Sequence, residues 1–403
     1  MSRPMWSLIV GAAVSAVGIS FLWPLTAIYV HRILGQPMPV VGLVMMVSSA
    51  AALFGSLAGG LLYDARGARG PLLVSMAVAA AVLIVLGFDR DFWVYAGGVT
   101  LEGFAMGISM PIFNAMAAGV WPEGGRTAFN AVYVAQNAGV AVGSSLGGLL
   151  ATVGFQFCFY AAGLFMVGFC LLIYFTYRGE HWVKPPHRHA AEHHARAGVP
   201  IWQVVGWPTL VLSASMALDW LAYDQWEVTV PNFMQAQGFV LPLYSVLWTV
   251  NTVLILAAQP LLSRFVAWLP RLTTQLLVGS GLFLGAFGIL AFFHTYPAYL
   301  SAMVLATLGE MLVLPAVPAA AEARSRPERR GLVQGVVGMA GALGRTAGPL
   351  IGGLLFVASD PRELFLVMLG FFLVGGLGYV WAERLGNGFI VEEAAPGISA
   401  GEA

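Results

Sequence analysis

Gly60-Leu61-Leu62-Tyr63-Asp64-Ala65-Arg66-Gly67-Ala68-Arg69 separates two long apolar stretches. It sets an acid (Asp64), two bases (Arg66 and Arg69) and a turn glycine (Gly67) where almost nothing else nearby is charged. Charge at this density is too costly inside hydrocarbon, so the turn marks a membrane boundary. The stretches on either side, about 40–62 and 71–88, then read as membrane helices.

The composition agrees. The chain has 403 residues, 59% hydrophobic and 9% charged, with a mean hydropathy of +0.81. Soluble domains carry about 25% charged residues, which excludes that class. Nineteen basic and nineteen acidic residues balance to a formal net charge of zero, which argues against a nucleic-acid partner. Cys158 and Cys170 lie in one apolar segment about three helical turns apart. They are expected as packed thiols, because a disulfide between them requires a broken helix.

About 20 apolar residues make one crossing. On that basis the sequence predicts an all-α membrane protein of twelve helices, at 5–30, 40–62, 71–88, 92–117, 129–150, 155–177, 204–233, 242–263, 272–293, 297–320, 332–357 and 363–382. The first is interrupted by Trp23-Pro24 rather than ended by a small-residue cleavage site, so it is expected to remain as a span. Two six-helix bundles are expected at 1–178 and 201–386, with a cytoplasmic linker at 179–200 and a disordered cytoplasmic tail at 387–403. With the N-terminus inside, fifteen basic residues fall on inner loops and termini, against Arg32, Arg90 and Arg362 outside. Both termini are therefore expected in the cytoplasm, with the chain in a bacterial inner membrane.

The halves repeat. Gly139-x3-Gly143-Ser144-x2-Gly147-Gly148 matches Gly344-x3-Gly348-Pro349-x2-Gly352-Gly353 at a shift of 205 residues. At the same shift, Pro122-Glu123 falls on Pro327-Glu328. A six-plus-six repeat of this kind implies a transporter with its site between the halves.

Together, the charged turn, the repeat, the central linker and the twelve spans resemble the major facilitator superfamily. The glycine pattern resembles the antiporter motif of its drug:proton antiporters. The fuller copy here, Gly335-x8-Gly344-x3-Gly348-Pro349-x2-Gly352-Gly353, is in the eleventh helix; in the fifth, Ser144 and Asn130 replace the proline and the first glycine. Phe21-Leu22-Trp23-Pro24-Leu25, Tyr223-Asp224-Gln225-Trp226-Glu227 and Gly309-Glu310-Met311 also look like segments of bacterial multidrug exporters. The sequence departs from that pattern at Val99, near the place of the usual fourth-helix arginine, and at Gln136-Asn137, where some relatives carry Gln-Asp. The resemblance implies secondary transport by alternating access. Gly139, Gly143, Gly147, Gly344, Gly348, Pro349 and Gly352 serve in it as close-packing positions, whether or not they bear on direction of transport.

A charge near the bilayer centre costs at least about 2.5–3.5 kcal/mol, so each asks for a reason. Glu102, Asp219, Glu310 and Arg345 fall near the midplane, with Asp224 and Glu227 one to two turns nearer the outside. At i, i+4, i+8, Asp219, Tyr223 and Glu227 share a helical face, whereas Asp224 points away, toward an outer vestibule. Carboxylates in a low-dielectric cavity hold protons more readily than in water, which suits proton coupling. Glu310 and Glu227 are the leading proton and substrate carboxylates, Asp219 is next, and Glu102 or Asp219 is the expected partner of Arg345. The competing reading is a buried polar network that only fixes helix register.

For the turn at Gly60, two compatible readings stand. Asp64 latches a helix end of the other bundle, or Arg66 and Arg69 simply hold the loop inside. Trp23, Phe113, Tyr133, Trp220, Tyr223, Trp226 and Trp248 are candidates to line a wide apolar cavity, with Asn114, Gln136, Asn137, Asn251 and Gln259 as polar groups for substrate or helix–helix contacts. The linker holds His181, His187, His189, His193 and His194, read as a solvated basic segment rather than a metal site. No cofactor or metal is expected. No H-E-x-x-H, G-x-S-x-G or P-loop pattern occurs, so an intramembrane enzyme is disfavoured. The expectation is a monomer among membrane lipids, exporting lipophilic or cationic compounds against protons. Import of a solute and flipping of a lipid remain open on the same scaffold.

Overall fold

A computed structural model of the chain describes residues 3–120, 126–176, 205–269, 271–323 and 330–393. These residues are almost wholly helical. An apolar chain in lipid must satisfy its backbone internally, and a helix does so within one segment. Twelve segments follow in order. They are α1 (Arg3–Ser20, continued by short turns to Ile33), α2 (Met38–Arg66), α3 (Arg69–Phe88), α4 (Phe92–Val120), α5 (Arg126–Val153) and α6 (Phe155–Thr176). The second six are α7 (Trp207–Tyr223, Gln225–Val228 and Val230–Ala236), α8 (Leu241–Trp268), α9 (Leu272–Phe292), α10 (Tyr296–Ala323), α11 (Arg330–Ala358) and α12 (Pro361–Glu393). Among the described residues, nine runs are long and apolar enough to cross a membrane.

The ends of these helices have local causes. Gly67, at φ 73°, closes α2 in a conformation a side chain disfavours, and its N–H donates to the Tyr63 carbonyl at 2.8 Å. Asp91 starts α4 by accepting from the N–H groups of Trp93 and Val94 at 2.8 and 3.0 Å.

Three expected boundaries are corrected. The first span runs past residue 30 to Ile33, because the chain winds through a 3-10 turn at Trp23–Leu25 and a wider turn at Tyr29–Ile33. The seventh is no continuous helix over 204–233; it is broken at Asp224 and again at Thr229, before Pro231, which has no N–H to continue the ladder. The last helix continues through Gly386, where a tail was expected, to Glu393: Phe389, Ile390 and Val391 sustain an apolar run with no proline to end it.

The packing repeats as the sequence does. Within the first six segments α1 packs on α5, α2 on α4 and α3 on α6; within the second, α7 packs on α11, α8 on α10 and α9 on α12. Gly139, Gly143 and Gly147 seat α1 at Ala13, Val17 and Phe21. Their counterparts Gly344, Gly348 and Gly352 seat α7 at Ala217, Leu221 and Gln225. A Cβ at Gly344 would stand 2.3 Å from the Ala217 carbonyl oxygen, so the two helices touch backbone to backbone only because glycine is there.

The neighbouring glycine of each pair faces the other set of helices. Gly148 lies against Pro242 and Ser245 of α8, and Gly353 against Met38 and Pro39 of α2. Ser145 and Thr249 share a hydroxyl hydrogen bond beside the first contact. These contacts lie at the end of the molecule away from Gly67, where the two sets of six helices are drawn together.

Cys158, buried, and Cys170, half-buried, are free thiols on α6. The histidine-bearing linker lies outside the described residues.

Candidate functional site

Between the two sets of helices lies a cavity of about 1430 Å³, walled by α1, α2, α4, α7 and α11 with shorter stretches of α3 and α6. It begins beneath the closed end and runs toward the end that carries Gly67, reaching Ser56 and Leu57 on α2 and Gly335 on α11. On α2 the lining residues recur as 44, 45, 48, 49, 52, 53, 56 and 57, which is one continuous helical face. Most of the wall is apolar. The acidic and basic side chains in its wall are Glu102, Asp224, Glu227 and Arg345.

Trp220, Asp224 and Glu227, at i, i+4 and i+7, bring one face of α7 to the cavity. The expected outer vestibule for Asp224 is replaced by the main cavity. Carbonyls freed by the break find partners from elsewhere. Tyr244 donates to the Trp226 carbonyl at 2.8 Å, Trp248 Nε1 donates to Tyr244 at 2.8 Å, and Asn232 Nδ2 donates to Val228 at 2.9 Å. Gln225, fully buried, donates to the Leu221 and Gly348 carbonyls at 3.1 Å each and so pins the break to α11.

Arg345 projects from α11 into the cavity, exposed to it, with its guanidinium 4.3 Å from the centre of the Trp220 ring. Asp224 and Glu227 are the carboxylates within its electrostatic reach. The pairing expected with Glu102 or Asp219 is not what forms. Among the described residues Arg345 makes no direct ion pair. Trp23 lines the cavity with Glu227 and packs against Trp248 at 4.6 Å between ring centres.

Asp219 lies elsewhere. It is 3% exposed and accepts a 2.6 Å hydrogen bond from the hydroxyl of Tyr379 on α12, while its other oxygen has no partner among the described residues. The face expected for Asp219, Tyr223 and Glu227 divides: Asp219 and Tyr223 border a small void, whereas Glu227, turned about 80° from Asp219, faces the cavity with Trp220 and Asp224. Glu310 is not in the main cavity wall either. It accepts from the Tyr223 hydroxyl at 2.7 Å and from Asn251 Nδ2 at 3.1 Å, and Asn251 also donates to Thr307 at 2.9 Å. This α7–α8–α10 cluster borders a void of about 10 Å³ that Asp219 also touches.

Of the expected cavity residues, Trp23 is in the wall, and Tyr223, Trp248 and Asn251 stand behind it. Trp226 is corrected to the core: it is 0% exposed and packs edge-on to Phe287. Gln136 and Asn137 are half-buried on α5 and do not line the cavity. The side chains of Asn114 and Tyr133 lie outside the described residues. Tyr244, Thr307 and Tyr379 went unnoticed in the sequence, and Gln225 was quoted there only as part of the Tyr223–Glu227 segment, with no role of its own.

At the charged turn, Gly60 has open space beside it and Arg66 is exposed. Arg69 reaches across to α6, where it lies over the Tyr174 ring at 5.3 Å and meets the Tyr174 carbonyl at 3.4 Å. The Asp64 side chain lies outside the described residues.

Comparison with known proteins accords with this architecture. The family model described as Major Facilitator Superfamily matches residues 8–345 and 276–398. The chain is 40% identical over 375 residues to the uncharacterized MFS-type transporter YttB of Bacillus subtilis (strain 168), covering 93% of this chain and 94% of that one. It is 25% identical over 359 residues to the multidrug resistance protein MdtH of Aeromonas hydrophila, covering 87% of each. Among solved structures it superposes on a POT family transporter in complex with 5-aminolevulinic acid at a TM-score of 0.82, with 14% identity and coverage of 96% of this chain and 97% of that one. It also matches the nucleoside transporter NupG at 0.76, with 13% identity and coverage of 95% and 100%. Matched along its length by the family model, and at 40% identity by an MFS-type relative, the chain belongs to the major facilitator superfamily of membrane transporters.

Proposed function

We infer that the chain is a proton-coupled secondary transporter that exports lipophilic or cationic drug-like compounds by alternating access. One observation carries this reading: a large apolar cavity between the two sets of helices holds Glu102, Asp224, Glu227 and Arg345 with few direct partners. Carboxylates in an apolar wall attract either a proton or a lipophilic cation, and the two compete. Competition at a shared site that faces one side at a time is antiport. The multidrug resistance protein among the relatives supports the substrate class.

Placing the basic loops inside, as their charge favours, sets both termini in the cytoplasm and the closed end outside. The cavity then faces the cytoplasm of a bacterial cell, the state in which an exporter loads. Glu310, with Tyr223 and Asn251, is a second proton carrier set behind the cavity, and Asp64 is a latch on the cytoplasmic side. The bundles at 1–178 and 201–386 move against each other as monomeric units of one chain, with the glycines of α5 and α11 as their seams.

Dye transport in inside-out vesicles tests the proposal. An acid interior is expected to drive accumulation of a lipophilic cationic dye. Accumulation only with the opposite gradient makes the protein an importer, and no accumulation of any dye with either gradient removes drug-like substrates.

A further inference from the structure

Arg345 is a cation in the cavity wall with nothing accepting from it among the described residues. Its guanidinium has five N–H donors in a fixed fork. Among the described residues none of them is in a hydrogen bond or a direct ion pair, and the side chain is exposed to the cavity. A residue serving only as counter-ion to Asp224 and Glu227 is expected to take the bidentate geometry that an arginine forms with a carboxylate. Here it rests instead on the Trp220 ring, 4.3 Å from its centre. Trp220 is itself seated against Gly341 and Gly344 of α11, so the platform is rigid and the fork is held in place.

Resting on the reading of this cavity as the substrate site, we propose that Arg345, supported by Trp220, is an anion subsite, and that the substrate is an amphiphile carrying an anionic group beside a cationic amine. Three of the charged side chains that line the cavity then divide the work. Arg345 takes the anion. Asp224 and Glu227, which lie within its electrostatic reach, take the amine. The apolar wall around them takes the body of the molecule. The ligand itself is neutral, so when its amine displaces one proton from Asp224 or Glu227 the net charge of the cavity falls by one, and that proton is the one exchanged.

Two dyes that differ by one group test this. Rhodamine B has a free carboxylate beside a cationic xanthene, and its ethyl ester lacks the anion. Binding to the purified full-length protein in detergent is read by fluorescence anisotropy, without any gradient. The wild type is expected to bind rhodamine B about tenfold or more tightly than the ester, and Arg345→Gln to abolish that preference. Trp220→Leu keeps the charge but removes its support. It is expected to weaken rhodamine B by about threefold, and it serves if the arginine variant fails to fold.

Equal binding of the two dyes by the wild type overturns the proposal, as does binding of neither. Equal weakening of both dyes in Arg345→Gln also overturns it, because Arg345 is then a counter-ion only. A preference for rhodamine B without proton exchange in vesicles leaves the subsite standing and refutes the antiport reading alone.

Discussion

The hydroxyl of Tyr223 donates to Glu310 Oε2 at 2.7 Å, and this bond joins the last residue before the break in α7 to the middle of α10. Asn251 donates to the same oxygen from α8 at 3.1 Å, so three helices meet at one carboxyl group. Tyr223 also lies within electrostatic range of Glu227 at the cavity wall. The cluster therefore stands where a change of charge in the cavity is felt without Glu310 touching the substrate. Glu310→Gln keeps the shape and removes the titration. It is expected to lower proton-driven transport by at least about tenfold while dye binding at equilibrium changes little. Wild-type uptake by this variant in energised vesicles takes Glu310 out of the mechanism.

Asp219 and Tyr379 form a separate, buried pair facing α12. Removing the hydroxyl strands a carboxyl group that has no other donor among the described residues. Tyr379→Phe is expected to destabilise the protein by about 1.5–3 kcal/mol, seen as a lower melting temperature in detergent. Asp219→Asn, with the tyrosine in place, is expected to retain dye transport within about threefold, as befits a residue away from the substrate. Loss of transport with unchanged melting in Asp219→Asn contradicts this assignment.

How much of this was legible beforehand follows from the kind of signal each feature leaves. The seams on α5 and α11 were visible because small residues at a spacing of four are themselves the contact surface. Their partners on α1 and α7 are ordinary residues such as Ala13 and Ala217, and gave no sign. The spans were visible because lipid demands apolar length. The broken α7 was not: Asp224, Thr229 and Pro231 are each compatible with a helix, and only their combination interrupts it. Asp219 was grouped with Glu227 and Asp224 set aside because i, i+4, i+8 drifts about 80° around the helix, whereas Asp224 and Glu227, three apart, are the closer pair at the cavity. Tyr379 was unreadable for another reason. A tyrosine among apolar neighbours looks the same whether its hydroxyl meets an aspartate or a lipid headgroup.

The seams make a sharper prediction. Gly344 admits no Cβ, whereas Gly338, about 1.7 helical turns earlier, has nothing within 4 Å of where one would stand. Gly344→Val is expected to cost about 1–3 kcal/mol or to prevent folding, and the pseudo-symmetric Gly139→Val to do the same against α1. Gly338→Ala is expected to melt like the wild type. Thermal melting of the three purified variants separates the cases, and a tolerated Gly344→Val is the contrary result.

The closed end is testable by cross-linking. Ser145 on α5 and Thr249 on α8 touch through their hydroxyls. In a background without Cys158 and Cys170, Ser145→Cys with Thr249→Cys is expected to cross-link under mild oxidation and to stop transport, with recovery on reduction. Cross-linking that leaves transport running shows that these helices need not separate during the cycle.

The central claim is that substrate and proton compete for the cavity carboxylates beside Arg345. Its most direct measurement is proton release when tetraphenylphosphonium is added to the purified protein in unbuffered detergent solution. The wild type is expected to release protons in proportion to ligand bound, and Glu227→Gln to release at most about half as many. Binding by the wild type with no release of protons contradicts the account.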